Sequence, residues 1–187
     1  FLIEGDMENK KFLFDKKILN NFFPKFDFNN INLSSKNIFS FLIHNKFQIK
    51  DLKISSKVKF NDFKFKHNSN LKEFFPNIKN EINLSNHMFD LNYDKKNLII
   101  NGNGNIFLQN NKDFIIYKII KKDKNLKFET NLNVEQNPIL INLLGFEKKL
   151  GSNAKISLKG TYYLGKKIFI KNFTLNEDRN YISVDDL

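Results

Sequence analysis

The sequence predicts an all-β fold: an elongated, curved antiparallel sheet whose consecutive strands form a meander around an apolar groove, with one or two short helices. Three observations support this prediction. An eight-residue pattern of apolar and polar positions recurs, twenty-two Phe residues occur with no Trp, and clusters of Asn, Asp, Lys and Gly separate the apolar segments. Phe, Ile and Tyr fit half-buried pleated surfaces, and regularly spaced turn clusters are typical of antiparallel sheets.

The recurring pattern, which we call the octad, reads apolar, any, apolar, two polar, apolar, any, apolar. It occurs as FDFNNINL at 26–33, FQIKDLKI at 47–54, VKFNDFKF at 58–65 and IFIKNFTL at 168–175, and ISVDDL from residue 182 begins another copy. Each half alternates apolar and polar residues, so an extended chain places the apolar residues of that half on one side.

The two halves of an octad are out of phase, because its apolar positions change parity at the central polar pair. A β-bulge at the pair would keep both halves on one face and bend the strand. A two-residue hairpin turn would also do so, since Asn and Asp tolerate positive φ. We favour bulges, because such turns prefer Gly at their second position, and repeated bulges would curl the sheet into a trough. The pairs are Asn29–Asn30, Lys50–Asp51, Asn61–Asp62 and Lys171–Asn172.

The first half of the chain reads mostly as strands. After FLI and KFLF segments, residues 16–23 predict a short helix, and residues 36–43 fit either a helix or a strand. The second and third octads follow. Residues 71–78 contain Pro76 and predict a loop, because proline cannot donate to a strand ladder.

The second half continues the meander. EINLS, MFDLNYD, NLIINGNG and NIFLQN predict consecutive strands, and residues 114–120 and 126–134 predict the next pair. Asn137 and Pro138 predict the start of a short helix over 138–144, ended by Gly145, since Asn is a good N-cap and Pro suits the first helical position. The last predicted strands are 155–163, 167–175 and 181–184.

The length of 187 residues with 41% apolar residues suits a single β-rich unit over 1–187, part of a longer repetitive β-groove protein. The first residue is not Met and the last octad is incomplete, so we expect a segment whose signal and membrane anchor lie outside it. The longest apolar stretches are far shorter than the roughly 20 residues that a membrane helix needs.

The formal net charge of +11 suggests a polyanion as partner, but the distribution of the basic residues argues against a specific nucleic-acid site. Arg179 is the only arginine, so the bidentate donors that read bases and phosphates are almost missing. Lysines instead alternate with apolar residues, as in Lys57, Lys59, Lys64 and Lys66, which predicts a solvated outer face.

No catalytic constellation is present in the sequence, so we expect a protein that is not an enzyme and needs neither cofactor nor metal. There is no Cys, no GxSxG motif and no HExxH motif, and His44, His67 and His87 stand beside polar residues that predict surface or strand-end positions. The run NGNGN at 101–105 lacks the GK[ST] ending of a phosphate loop and is expected to form a turn or a bulge.

Residues 117–187 resemble the AsmA-like superfamily of bacterial envelope proteins. The resemblance lies in a short helix ending in Leu-Gly-aromatic, a Lys and a Gly soon after it, an Ala-x-Ile strand and an Ile-x-x-Phe-x-Leu element. These residues are Leu144, Gly145, Phe146, Lys149, Gly151, Ala154, Ile156, Ile170, Phe173 and Leu175. High Asn and Lys content departs from the family pattern.

The resemblance implies a non-enzymatic lipid-transfer segment in the periplasm of a Gram-negative bacterium. Such proteins are anchored in the inner membrane and carry phospholipid to the outer membrane through an apolar β-groove, supporting outer-membrane biogenesis. Phospholipid acyl chains would contact apolar octad residues, namely Phe47, Ile49, Val58, Phe60, Phe63, Phe65, Ile168, Ile170, Phe173 and Leu175.

Two other interpretations stay open. The same apolar residues could form the core of a closed β-sandwich, because apolar strand faces usually pack on each other. The chain could also be a structural or adhesive β-repeat protein whose basic face binds polyanions such as lipopolysaccharide or nucleic acid.

Overall fold

The computed structural model describes residues 1–14, 27–28, 31–66, 71–95, 97–123, 125–148, 151–163 and 168–186, and these residues are almost entirely extended. The predicted all-β fold is confirmed. The strands are β1 (Leu2–Phe14), β2 (Asp27–Phe28), β3 (Ile31–His44), β4 (Gln48–Lys66), β5 (Glu81–Asp94), β6 (Asn97–Phe107), β7 (Asp113–Lys122), β8 (Asn125–Val134), β9 (Leu140–Ile141), β10 (Phe146–Glu147), β11 (Ala154–Tyr163), β12 (Ile168–Glu177) and β13 (Asn180–Asp185).

The strands form one long open sheet, elongated and curved, with the order β1-β3-β4-β5-β6-β7-β8-β11-β12-β13. The short β2 pairs with β4, and β9 and β10 form a separate hairpin. Neighbouring strands are antiparallel, as a meander requires. Ten strands at about 4.8 Å spacing extend the sheet by roughly 45 Å in the direction across the strands.

The register identifies one face of the sheet, which we call the inner face. Residues directly opposite each other on neighbouring strands point to the same side. One such row crosses most of the sheet and consists of Val58, Phe89, Gly102, Tyr117, Thr130, Leu158 and Phe173. Along each strand, every second residue from this row lies on the inner face, except where a bulge changes the parity.

The main core lies at one end of the strands, which we call the capped end. There the segments 71–80 and 135–148 cover the inner face, and Phe75 and Ile139 from these segments join Val134 and Leu175 of the sheet in one buried cluster. A smaller cluster of Ile31, Phe60 and Phe63 lies beside it on β3 and β4. The opposite end, which holds the turns of the β3–β4, β5–β6 and β7–β8 hairpins, is the open end.

Two octad pairs coincide with bulges. The register of β3 against β4 shifts between Ser40 and Leu42, opposite Asp51, which has a φ of 50°. The register of β11 against β12 shifts at Lys159 and Gly160, opposite the pair Lys171–Asn172. Both pairs therefore lie within strands and are not hairpin tips.

The pair Asn61–Asp62 behaves differently from a simple bulge. It lies inside β4, where Phe60 and Phe63 on either side of it are both buried, yet the register of β4 against β5 is unbroken. The register stays unbroken because β5 also changes which alternate residues face inwards at this level, around Asn86, which has a φ of 50°. The bulge then appears one strand further on, between β5 and β6. The pair Asn29–Asn30 lies outside the described residues.

The predicted helices need correction. Instead of a helix over 138–144, Leu140 and Ile141 form β9, and only Asn142–Leu144 makes a single 3-10 turn. The extended form wins because backbone partners are at hand: Leu140 N–H donates to Phe74 O at 3.0 Å, and Lys148 N–H donates to Ile139 O at 2.9 Å. Gly145 ends the turn in the left-handed region, as expected.

Other segments have simpler outcomes. Residues 36–43 are a strand within β3. NGNGN at 101–105 lies inside β6, so it is not a turn, but the bulge between β5 and β6 lies opposite Gly104 in this run. A second 3-10 turn, Asn45–Phe47, joins β3 to β4. The helix predicted over 16–23 falls on residues that the structure does not describe. In the described part of the chain, no helix has the length and apolar character needed to cross a membrane.

Candidate apolar groove

The inner face of β5 to β8 is mainly apolar, but its burial changes from the capped end to the open end. At the capped end Leu175 and Val134 are fully buried. Further towards the open end, the row formed by Leu91, Ile100, Ile119 and Phe128 is only half-buried. A closed sandwich would bury such a row between two sheets. The exposure of this row therefore favours a groove that is covered at one end.

Glycines on the inner face set the shape of this groove. A Cβ atom placed on Gly102 would collide with the distal ring atoms of Tyr117, and one on Gly160 would collide with the distal ring atoms of Phe128. Each aromatic residue is the cross-strand partner of its glycine. The rings therefore lean over the neighbouring strand, where no side chain stands, instead of rising from the sheet. This keeps the floor of the groove low while its surface stays apolar.

Gly5 and Gly104 follow the same rule, with Phe39 and His87 as the rings that fill the space above them. Four aromatic rings thus depend on a glycine of an adjacent strand. Such aromatic and glycine pairs also help to set strand register, because only one alignment brings the ring over the gap.

His87 is the unexpected member of this surface. It is only 1% exposed, in contrast to the predicted surface or strand-end position. Its ring stacks on Phe60 at a centroid distance of 5.1 Å and on Tyr117 at 6.0 Å. Nδ1 lies 3.3 Å from Ser85 O, and within the described residues Nε2 is buried without a hydrogen-bond partner. Burial lowers the pKa of His87, so its neutral form is favoured.

The segments that cover the capped end are held by buried polar side chains. Gln109 accepts a hydrogen bond from Asn77 N–H at 3.0 Å and donates to Pro138 O at 2.8 Å, so it joins both covering segments to the end of β6. Asn137 donates to Asp113 Oδ2 at 2.7 Å. Burial raises the pKa of Asp113 to about 6, against the opposing effect of this hydrogen bond. The cover is thus a fixed part of the fold.

Nine of the ten residues predicted from the octads belong to the inner face, and Phe47 lies in the 3-10 turn between β3 and β4. The ten residues lie in three environments. Val58, Phe60, Phe63 and Leu175 are buried, and Phe65 packs against them from a half-buried position. Ile170 and Phe173 are half-buried on β12. Phe47, Ile49 and Ile168, at the open end, are exposed by 90%, 61% and 62%.

The octads therefore point to the flanks of the groove and miss its centre. The half-buried residues on β5 to β8, such as Leu91, Ile100, Ile119 and Phe128, belong to no octad. Their sequence signal is weak: DLNY alternates, but LIING and YKII place apolar residues at consecutive positions, so the pattern alone does not tell which of them face inwards.

Most lysines within the described strands lie on the outer face, including the predicted Lys57, Lys59, Lys64 and Lys66, but acidic residues accompany them. Lys36 pairs with Glu8 and Lys159 with Glu129, each at 3.8 Å, and Lys57 lies directly opposite Asp90. The positive charge is thus divided among mixed pairs and does not form one basic stripe along these strands.

Comparisons with protein families, with curated proteins and with solved structures found no match for this chain.

Proposed function

We propose that this chain is a non-enzymatic lipid-binding segment, in which phospholipid acyl chains lie on the inner face between the capped end and the open end. The observation that carries the proposal is the half-buried apolar row of Leu91, Ile100, Ile119 and Phe128. A contiguous apolar surface left accessible in a folded protein is typical of a binding site for an apolar partner. Because the aromatic rings lean over neighbouring strands, the groove is shallow, which suits a thin, extended ligand such as an acyl chain.

We further propose that the segment belongs to an AsmA-like, inner-membrane-anchored protein of the periplasm that carries phospholipid between the inner and outer membranes. The groove would then run across the strands, so that each further hairpin lengthens it by about 10 Å. The resemblance of residues 117–187 supports this wider role.

Two neighbouring positions on β6 allow a matched test. Ile100 lies on the inner face and Asn101 on the outer face, so Ile100→Asp and Asn101→Asp add the same charge on opposite sides. Native mass spectrometry should find phospholipid bound to the wild type and to Asn101→Asp but not to Ile100→Asp. Circular dichroism checks that both variants keep their strands.

A second measurement does not depend on how well a charged variant folds. A photoreactive phenylalanine analogue at position 119 should crosslink to added phospholipid acyl chains, whereas the same group at position 118, on the outer face, should not. Equal crosslinking from both positions would refute the groove. Absence of bound lipid, together with salt-sensitive binding of lipopolysaccharide, would instead support the adhesive, polyanion-binding alternative.

A further inference from the structure

On β5 to β8 the inner face ends at the open end in a row that differs from the rest of the groove. We call it the lip row. It is apolar except at one position and carries two tyrosines, whose hydroxyl groups suit a boundary between an apolar surface and water. Its members, in order across the sheet, are Phe39, Ile54, Tyr93, Leu98, Lys121, Leu126 and Tyr162.

Lys121 is the one charged residue of the lip row. Leu98 of β6 and Leu126 of β8 are its direct cross-strand partners, so its aliphatic stem lies on an apolar surface, and the residue is half-buried. A lysine in this setting keeps its stem against the apolar surface while the ammonium group reaches water. In the described part of the inner face, the other charged residues, Asp113 and Glu177, lie at the capped end.

Other lysines stand at the same end of the sheet. Lys95 is in the β5–β6 turn and Lys122 ends β7, and both are exposed. Asp94 faces Lys53 across β4 and β5, and Lys122 belongs to the same cross-strand row, which lies on the outer side. The acidic Asp123 follows Lys122 in the β7–β8 turn and is also exposed. Lys121 is therefore the lysine on which the inference rests.

The distance along β7 fits a lipid tail. From Lys121 the inner-face residues of this strand are Ile119, Tyr117 and Ile115, before the covered region at Asp113. Six residues of strand span roughly 20 Å. The acyl layer of one bilayer leaflet is about 15 Å thick, half of the hydrocarbon core. A tail that starts at Lys121 thus fits on this surface before it reaches the cover.

We propose that Lys121 binds the phosphate group of a phospholipid whose acyl chains lie on the inner face. This inference rests on the proposed function and assigns the lipid class: a phosphate-bearing lipid is preferred over a neutral one with the same chains. It also gives the bound lipid an orientation, with the headgroup at the open end and the tails towards the capped end.

The test compares two soluble short-chain lipids that share their acyl chains, dioctanoyl phosphatidylglycerol and dioctanoylglycerol. Lys121→Met keeps the apolar stem and removes the charge, so phosphatidylglycerol binding should weaken by about tenfold or more, because a charge-assisted contact is lost. Binding of dioctanoylglycerol should stay unchanged. Lys118→Met, on the outer face of the same strand, is the matched control and should bind both lipids as the wild type does. Lys121→Arg should retain the preference.

The outcomes separate the two proposals. If Lys121→Met binds phosphatidylglycerol as tightly as the wild type, the role of Lys121 is refuted while the groove stands. If the wild type binds neither lipid, the proposed function itself fails. Inorganic phosphate at the same concentration should not displace phosphatidylglycerol, and efficient displacement would refute the inference by showing an anion site that does not need the acyl chains.

Discussion

His87 and Tyr117 stack with a centroid distance of 6.0 Å, although they belong to β5 and β7, which are separated by β6. The contact is possible because β6 presents Gly102 and Gly104 to the inner face at this level, and the two rings occupy the space that Cβ atoms would take. The run NGNGN is therefore a gap in the side-chain layer of the inner face. It lets two rings meet across a strand and keeps the groove shallow at its centre.

Gly104→Ala should destabilise the protein by about 1–3 kcal/mol, because the added methyl group collides with the buried imidazole of His87. Urea unfolding would measure this loss, and Asn103→Ala, on the outer face of the same strand, should cost much less. In a double-mutant cycle, His87→Ala should relieve part of the cost of Gly104→Ala. Additive effects of the two changes would show that the ring does not fill this gap.

The contribution of His87 to stability should fall as the pH drops below about 6.5, the ordinary pKa of histidine. Its pKa in the folded state is lowered, so the unfolded chain binds the proton more readily. The contribution of neutral His87 is complete above pH 6.5 and is lost as the pH falls towards the folded-state pKa. Thermal unfolding at several pH values should show this loss in the wild type and a smaller one in His87→Phe. Parallel curves would contradict the burial of a neutral imidazole.

Asp113→Asn should stabilise the protein above pH 6. The folded-state pKa of Asp113 is raised from 3.8 to about 6, so keeping the carboxylate ionised opposes folding above this range. The gain should be about 1–2 kcal/mol, less than the whole shift implies because the variant loses the charge-assisted hydrogen bond from Asn137. It should shrink as the pH falls towards 3.8, where the wild-type carboxyl group is protonated in both states. A gain that does not change with pH would point to packing instead.

Asp51→Gly should be neutral or stabilising, whereas Asp51→Val should cost roughly 1–2 kcal/mol, because Asp51 has a φ of 50° that a β-branched residue adopts poorly. Lys50→Val, at the other member of the pair, is the control and should cost less, since Lys50 does not have a positive φ. Chemical denaturation of the three variants would rank them. A Gly variant less stable than the Val variant would contradict a bulge at this pair.

Patterns among residues close together in the sequence determined many features of the sheet. The alternation in the octads placed Val58, Phe60, Phe63 and Leu175 on one face, and the parity break at Lys50–Asp51 and Lys171–Asn172 predicted bulges that the strand register contains. Gly145 ends the 3-10 turn in the left-handed region, as the sequence predicted. These features depend on residues close together in the chain, so period and turn chemistry are enough to infer them.

Contacts between distant segments decided the rest. Residues 138–141 have good helix-start signals, but Leu140 is extended because its N–H finds Phe74 O in a segment far away in sequence. His87 looks polar by its neighbours, yet the gap above Gly104 and the rings of Phe60 and Tyr117 bury it. The inward position of Lys121 and the covered end of the groove likewise depend on which strands stand side by side. Sequence alone therefore determined that the sheet has an apolar face, and tertiary structure decided where that face is closed and where it stays accessible.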